Sequence, residues 1–113
     1  MPIQIVRAAV TLDELRSVAG QQYGDFVKAV VDVQRGVMAI GGELHADEEA
    51  VLLQDGARQA DLWGINLYPD GPELIEFDSM INIRPSQGNR SRGVDDAKIQ
   101  RQIQEIVGRL VSA

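Results

Sequence analysis

Alternating apolar and polar residues predict β-strands in the first third of the chain. The segment Ile3–Val6 is short and rich in β-branched residues, which favour strands. A longer run of the same kind covers Phe26–Val33. The turn residues Arg35–Gly36 follow it and lead into another apolar run, Val37–Ile40. The pattern therefore predicts one early strand and a β-hairpin.

The strongest strand pattern lies in the second half of the chain and predicts how two strands pair. Residues of like polarity have to lie opposite each other when one face of a sheet is buried. That condition places Leu67 opposite Ile75 around a loop, Pro69–Glu73. The same register places Asn66 opposite Glu76 on the polar face. The second strand is predicted to continue along one apolar face, which holds Ile75, Phe77, Ile81 and Ile83.

Helical signals occur between the predicted strands. Thr11 and Glu14 form a T-x-x-E capping box, in which each side chain bonds the backbone N–H of the other residue. A run of acids and apolar residues that ends at Gly56 fits a short helix, which would begin near His45.

The C-terminal segment is predicted to be a third helix, capped by Asp95 or Asp96. Its apolar residues recur at helical spacing: Ile99, Ile103, Ile106, Val107 and Leu110. The order of elements predicts an α+β fold with a single domain over residues 1–113. We expect a two-layer sandwich in which a mixed or mostly antiparallel sheet of about five strands carries the N-terminal and C-terminal helices on one face.

Composition excludes several classes of protein. The 113 residues include no cysteine, which rules out disulfides and thiolate metal sites. No apolar run is long enough to span a membrane, and the first residues lack the pattern of a signal peptide. Nucleotide-binding motifs are absent, so no cofactor is predicted. We expect a cytoplasmic protein, and its acidic balance disfavours nucleic acid as a partner.

The formal net charge of −6 is unevenly distributed. Residues 43–78 hold ten acids and one base, whereas residues 79–113 hold six bases and three acids. Two readings stay open at this point. The acidic and basic regions either face each other inside the molecule or present their charges to solvent and partners.

The basic loop Ile81–Gly93 predicts an anion site, because it holds three arginines and no acid. Guanidinium groups bind carboxylate or phosphate in a bidentate manner, and neighbouring amides supply further donors. The candidate anion-binding residues are Arg84, Gln87, Asn89, Arg90 and Arg92. In the alternative reading, the arginines bond carbonyl groups and the acidic segment Glu43–Glu49 within the fold.

His45 is the only histidine and therefore the centre of any histidine-dependent chemistry. If a helix begins there, His45 and Glu49 lie one turn apart on the same face, a spacing that suits a shared metal ion. Glu43 and Asp47 could add oxygen ligands or a general base. We nevertheless predict no metal, because a histidine beside acids is more often a helix cap or a structural pair.

Polar residues on the predicted strands form a further candidate surface. Asn66 and Asn82 are uncommon residues for strand positions. In the predicted register they share one face with Glu76 and Asp78, which makes this face a candidate wall of a site.

The segments 27–33, 40–49, 62–69 and 75–92 together resemble a family of small bacterial proteins catalogued as a domain of unknown function, DUF5674. The resemblance covers nearly the whole chain. It implies a stand-alone cytoplasmic protein of bacteria, but it implies no activity and assigns no functional residue.

Three functions of different classes remain compatible with the sequence. The preferred hypothesis is a binding module that takes a small anionic ligand or a protein partner through the arginine loop. A metal-assisted hydrolase centred on His45 is the first alternative. A structural protein that self-associates into a homo-oligomer is the second.

Overall fold

A five-stranded antiparallel sheet forms the centre of the molecule in the computed structural model, which describes residues 2–113. In chain order the elements are β1 (Gln4–Val6), β2 (Val10–Thr11), α1 (Leu12–Gln21), β3 (Val27–Asp32), β4 (Val37–Ile40), α2 (His45–Gln54), β5 (Leu62–Leu67), β6 (Ile75–Glu76), α3 (Ala97–Leu110) and β7 (Val111–Ser112). The sheet order is β1-β4-β3-β5-β6, and β2 pairs with β7 in a separate parallel ladder. The predicted α+β class with a five-stranded, antiparallel sheet is confirmed.

The helices begin where their capping residues predict. Thr11 Oγ1 accepts a hydrogen bond from the Glu14 N–H at 3.0 Å, and Glu14 Oε1 accepts one from the Thr11 N–H at 3.3 Å. Both halves of the predicted capping box are therefore present at the start of α1. Asp96, one of the two predicted candidates, caps α3.

Each face of the sheet carries its own apolar cluster. The larger cluster packs α1 and α3 against alternate residues of the central strands and includes the fully buried Leu15 and Ile103. The smaller cluster lies beneath α2 and consists of Val30, Val37, Ala39, Leu52 and Leu62. The N-terminal and C-terminal helices thus share one face, as predicted. The middle helix packs on the other face, so the molecule has three layers instead of the expected two.

The predicted register between β5 and β6 is confirmed. Leu67 lies opposite Ile75, and Asn66 lies opposite Glu76. Alternation of polarity was sufficient to determine this pairing, because a shift by one residue would have turned every apolar side chain to the wrong face.

The last strand ends much earlier than predicted. β6 stops at Glu76, and the chain then leaves the sheet and forms a single 3-10 turn, Met80–Asn82. Phe77 packs against the larger apolar cluster, whereas Ile81 packs against the smaller one. The prediction of one shared apolar face therefore holds for Ile75 and Phe77 and is wrong for Ile81.

Asn82 takes the place of the missing strand residue beside β5. Its Oδ1 accepts a hydrogen bond from the Gly64 N–H at 2.8 Å, and its Nδ2 donates to the Gly64 carbonyl at 2.9 Å. Gly64 suits this position because an added Cβ would lie 2.5 Å from Ser79 Oγ. A side-chain amide thus satisfies the edge of β5 and leaves the main chain free to form the loop that follows.

Candidate functional site

A cleft of about 510 Å³ opens on the α2 face of the sheet, beside β6. Polar residues of β3, β5 and β6 line it, together with the first residues of α2 and the segment 78–81. Its volume lies within the range of roughly 300–1,000 Å³ that is common for small-molecule sites. Two exposed apolar side chains, Leu44 and Met80, border it.

Three polar side chains lie side by side across the sheet in this cleft. Lys28 is opposite Asn66, and Asn66 is opposite Glu76, on three neighbouring strands. Asn66 Nδ2 donates to Glu76 Oε1 at 2.9 Å, and the Tyr68 hydroxyl donates to the same oxygen at 3.1 Å. Asn66 is only 7% exposed, and its Oδ1 has no hydrogen-bond partner among residues 2–113.

Lys28 supplies an available positive charge in the cleft. Its Nζ lies 5.1 Å from the centre of the Tyr23 ring, which is a cation–π contact, and no carboxylate of residues 2–113 pairs with it. Burial lowers the pKa of His45, and the charge of Lys28 lowers it further. Lys28 therefore faces the beginning of α2 without an ionic partner.

His45 is held as a neutral imidazole at the start of α2. Its Nε2–H donates to the Ile65 carbonyl at 2.7 Å. Burial lowers the pKa of His45, and the Lys28 charge adds to that effect, while the Ile65 carbonyl, Asp78 and the nearby Asn66 side chain oppose it. Because Nε2 carries the proton, Nδ1 is the nitrogen that can accept one.

The N-terminus of α2 also faces the cleft and lacks a side-chain cap. Leu44 occupies the N-cap position and can offer no side-chain acceptor. No residue among 2–113 accepts a hydrogen bond from the backbone N–H groups of His45 and Ala46, and both residues line the cleft. Uncapped N–H groups at a helix N-terminus favour an anion.

The acids in the first turn of α2, Asp47 and Glu48, only partly oppose the binding of an anion at the helix N-terminus. Glu48 is completely buried, and burial raises its pKa to about 9. Its Oε2 accepts a hydrogen bond from the Gly42 N–H at 3.0 Å, which opposes the rise. Glu48 is therefore uncharged at neutral pH, and Asp47 is the one first-turn acid left in solvent.

The predicted anion-binding residues are distributed over several environments. Arg84 is a structural residue, because its side chain is 11% exposed and its donors reach the carbonyl groups of Gln59, Leu62 and Ile81. Its guanidinium stacks 4.8 Å above the Trp63 ring and lies 3.8 Å from Glu49. The alternative reading of internal pairing with Glu43–Glu49 is therefore realised by this one arginine.

Gln87 and Asn89 also serve the fold. Gln87 Nε2 donates to the Ala60 carbonyl at 2.9 Å. The buried Asn89 donates to the Asn82 and Gly93 carbonyl groups at 2.7 and 2.9 Å, which holds the loop in shape.

Only Arg92 of the predicted set lines the cleft. It forms an ion pair with Asp78, in which Nε lies 2.7 Å from Oδ1 and Nη2 lies 3.3 Å from Oδ2. Arg90 is exposed outside the cleft, and its side chain makes no hydrogen bond or ion pair within the described chain. The loop and His45 thus approach one concave surface, but through Arg92 and not through Arg90.

The residues proposed for the metal alternative have separate partners. The Glu43 carbonyl accepts a hydrogen bond from the Tyr23 hydroxyl, Asp47 is exposed, and Glu49 lies beside Arg84. Within residues 2–113, no three histidine, aspartate or glutamate side chains are grouped closely enough to hold a metal ion.

Sequence reasoning did not select Lys28, Phe26 or Tyr68 as site residues. A usable signal existed for Lys28, since it is the one cation on a strand whose neighbours are nearly all apolar. Phe26 and Tyr68 pack together with their ring centres 5.4 Å apart and form an aromatic side of the cleft. Their contribution depends on the pairing of β3 with β5, which the sequence left unassigned.

Comparison with known proteins gives one match. The model of a family described as "Protein of unknown function (DUF5674)" matches residues 4–110, nearly the whole chain. The resemblance inferred from the sequence is thereby confirmed. No curated protein and no solved structure matches.

Proposed function

The chain belongs to the family of unknown function DUF5674, and we propose that it is a binding module for a small anionic ligand, which occupies the cleft beside β6. The observation that carries the proposal is the meeting of Lys28, which has no ionic partner, with the uncapped N-terminus of α2. Both attract negative charge, and both lie in a partly covered cleft where such attraction is less screened than at an open surface.

Arg92 adds to this site as a positioning residue. Its bidentate pair with Asp78 offsets part of the negative charge that this acid brings to the cleft. The remaining acid of the cleft, Glu76, lies two strands away from Lys28. The positive end of the cleft is therefore formed by Lys28 and α2.

A hydrolase centred on His45 has less support. His45 Nε2 is engaged with a backbone carbonyl, and Glu49 lies beside Arg84 instead of facing the imidazole. Binding of an anion accounts for the unpaired Lys28 and the uncapped N-terminus of α2 without a catalytic group or a metal ion.

Thermal shifts with inorganic phosphate test the proposal. Phosphate at millimolar concentration should raise the melting temperature of wild type more than chloride at matched ionic strength, because a ligand that binds only the folded state stabilises it. Lys28→Gln should remove most of this gain. Arg90→Gln is the matched control, since it removes one cation outside the cleft, and it should keep the gain.

Two results would count against the anion site. One is an equal response to phosphate in wild type and Lys28→Gln. The other is a loss of the response in Arg90→Gln, which would return the site to the exposed loop.

We also infer a cytoplasmic protein of bacteria that binds neither nucleic acid nor membrane. The inference is supported by the absence of cysteine and by the net charge of −6. No helix within residues 2–113 has the length and apolar character needed to cross a membrane. Fractionation of native cells with an antibody to the protein would test the location, and recovery from the membrane or periplasmic fraction would refute it.

A further inference from the structure

We propose that the ligand of the cleft is an α-amino acid with an apolar side chain, bound as a zwitterion. The inference rests on the proposed anion site and adds a second, positive charge to the ligand. It follows from three features of the cleft that a plain anion would leave unused: the carboxylate of Glu76 two strands away from Lys28, an unpartnered buried acceptor on the strand between them, and apolar lining residues.

The cleft separates its charges instead of pairing them. Lys28 and Glu76 lie on either side of Asn66, two strand spacings apart, so their Cα atoms are separated by roughly 10 Å. No ion pair joins them within the described chain. One oxygen of Glu76 accepts hydrogen bonds from Asn66 and Tyr68, while no residue among 2–113 donates to the other oxygen. Each end of the cleft thus keeps a charge of its own, and the two are opposite in sign.

Asn66 places an acceptor between these charges. Its Nδ2 is committed to Glu76, which fixes the orientation of the amide, so the unpartnered atom is an oxygen that requires a donor. Leaving a buried acceptor without a partner costs free energy. An ammonium group has three donors and can serve Glu76 and Asn66 together, whereas a simple carboxylate at neutral pH has none.

The apolar lining residues indicate what the rest of the ligand is. Phe26 packs against Tyr68 in the lining of the cleft, and Leu44 and Met80, which line it as well, are 55% and 65% exposed. An apolar side chain between them would remove apolar surface from water.

Titration calorimetry with three related compounds tests the proposal. L-Phenylalanine carries both charges, 3-phenylpropanoate lacks the ammonium group, and 2-phenylethylamine lacks the carboxylate. We expect phenylalanine to bind about tenfold or more tightly than either analogue, since a hydrogen bond to a charged group is worth that factor. Glu76→Gln keeps an acceptor for Asn66 and Tyr68 but removes the charge. It should weaken the binding of phenylalanine about tenfold and leave the binding of 3-phenylpropanoate unchanged. Arg90→Gln should change the affinity for neither compound.

The outcomes separate this inference from the anion site. If 3-phenylpropanoate binds as tightly as phenylalanine, or Glu76→Gln weakens both alike, the zwitterion is refuted and the anion site stands. If phosphate stabilises the protein but phenylalanine does not bind, the amino acid is refuted in the same way. If phosphate, 3-phenylpropanoate and phenylalanine all fail to bind wild type, both proposals fall.

Discussion

At the scale of single residues, burial determines the charge of Glu48. The side chain lies fully inside the molecule between α2 and the Gly41–Gly42 turn, and only one of its oxygens has a hydrogen-bond partner among residues 2–113. From the sequence, Glu48 was an ordinary helix-start acid, one of three in a row. Its neutrality could not be predicted, because it depends on which face of α2 meets the sheet.

Glu48 should make the protein less stable as the pH rises. Burial raises its folded-state pKa from 4.5 to about 9, so between these values the folded protein holds a proton that the unfolded chain has lost. The free energy of unfolding then falls by up to about 1.4 kcal/mol per pH unit. Glu48→Gln should flatten this dependence between pH 7 and 9, a range above the lowered pKa of His45. Urea denaturation across that range would measure it.

The exposed Glu105 gives the matched control for this prediction. Glu105→Gln should keep the slope of wild type. If wild type and Glu48→Gln have the same slope, Glu48 is ionised in the folded state and the assignment is wrong.

The arginines show how far residue types alone can guide the search for a site. Nothing in the sequence distinguishes Arg84, Arg90 and Arg92. In the structure Arg84 is largely buried and bonds backbone carbonyls, Arg90 is exposed to solvent, and Arg92 lines the cleft. The path of the loop that carries these arginines depends on Asn89, whose side chain bonds the Asn82 and Gly93 carbonyl groups. The sequence pattern does not predict these hydrogen bonds.

Arg84→Met should therefore destabilise the fold far more than Arg90→Met. The first change leaves three carbonyl groups without their donor and Glu49 without a counter-ion, for a cost of about 2–4 kcal/mol. The second removes an exposed side chain and should cost less than about 0.5 kcal/mol. Urea denaturation at 25 °C compares them, and similar costs for the two would contradict the structural role of Arg84.

At the scale of elements, the alternation of apolar and polar residues predicted the register of β5 and β6 correctly. It failed where the Asn82 side chain, instead of a backbone strand, pairs with β5. The pairing of Leu67 with Ile75 follows from polarity alone, because one face of the strand is buried. The alternation continues beyond Glu76, but there the pairing partner of Gly64 is the amide of Asn82. The sequence pattern does not predict a side chain that pairs with a strand in place of the backbone, so the last strand was predicted to extend beyond Glu76.

Asn82→Asp should test this surrogate role. The new carboxylate can still accept from the Gly64 N–H, but it cannot donate to the carbonyl groups of Gly64 and Arg92. We expect a loss of about 3 kcal/mol at pH 7, from two unmet acceptors and a buried charge. Chemical denaturation gives the loss.

Acidification adds a second readout for the same change. Protonation of the new carboxyl group restores one donor. The difference in free energy of unfolding between wild type and Asn82→Asp should therefore become smaller as the pH falls. A difference that stays constant would mean that the donor function of Asn82 contributes little.

At the scale of the whole molecule, pairing across the fold offsets part of the uneven charge distribution, since four of the ten acids of residues 43–78 form ion pairs. The acidic middle segment meets bases from both sides, as in the pairs Arg7–Asp55 and Arg16–Asp70 and in the contact of Asp78 with Arg92. Of the six bases in residues 79–113, Arg84 and Arg92 are paired with acids of the middle segment. The cation left available in the cleft, Lys28, comes from the part of the chain that is neutral overall.

The sheet also divides the molecule into a structural side and a cleft side. The larger cluster, beneath α1 and α3, lies on one face, whereas α2 and the cleft lie on the other. Leu15 in α1 and Leu52 in α2 are both fully buried in ten-residue helices, so they form a matched pair across the sheet. Truncation of either leucine to alanine should cost about 2–5 kcal/mol, through lost burial and the cavity that remains.

The two truncations should differ in their effect on the cleft. Leu52 fixes the helix whose first residues face the ligand, so Leu52→Ala should weaken phosphate binding at 25 °C as well as lower the denaturation midpoint. Leu15→Ala should lower the midpoint and leave the dissociation constant of the folded protein unchanged, because α1 packs on the opposite face. Calorimetric titration of both variants, under conditions where denaturation curves show each to be folded, makes the comparison. Equal weakening by both changes would mean that the two faces of the sheet are coupled and that the cleft is not a property of the α2 side alone.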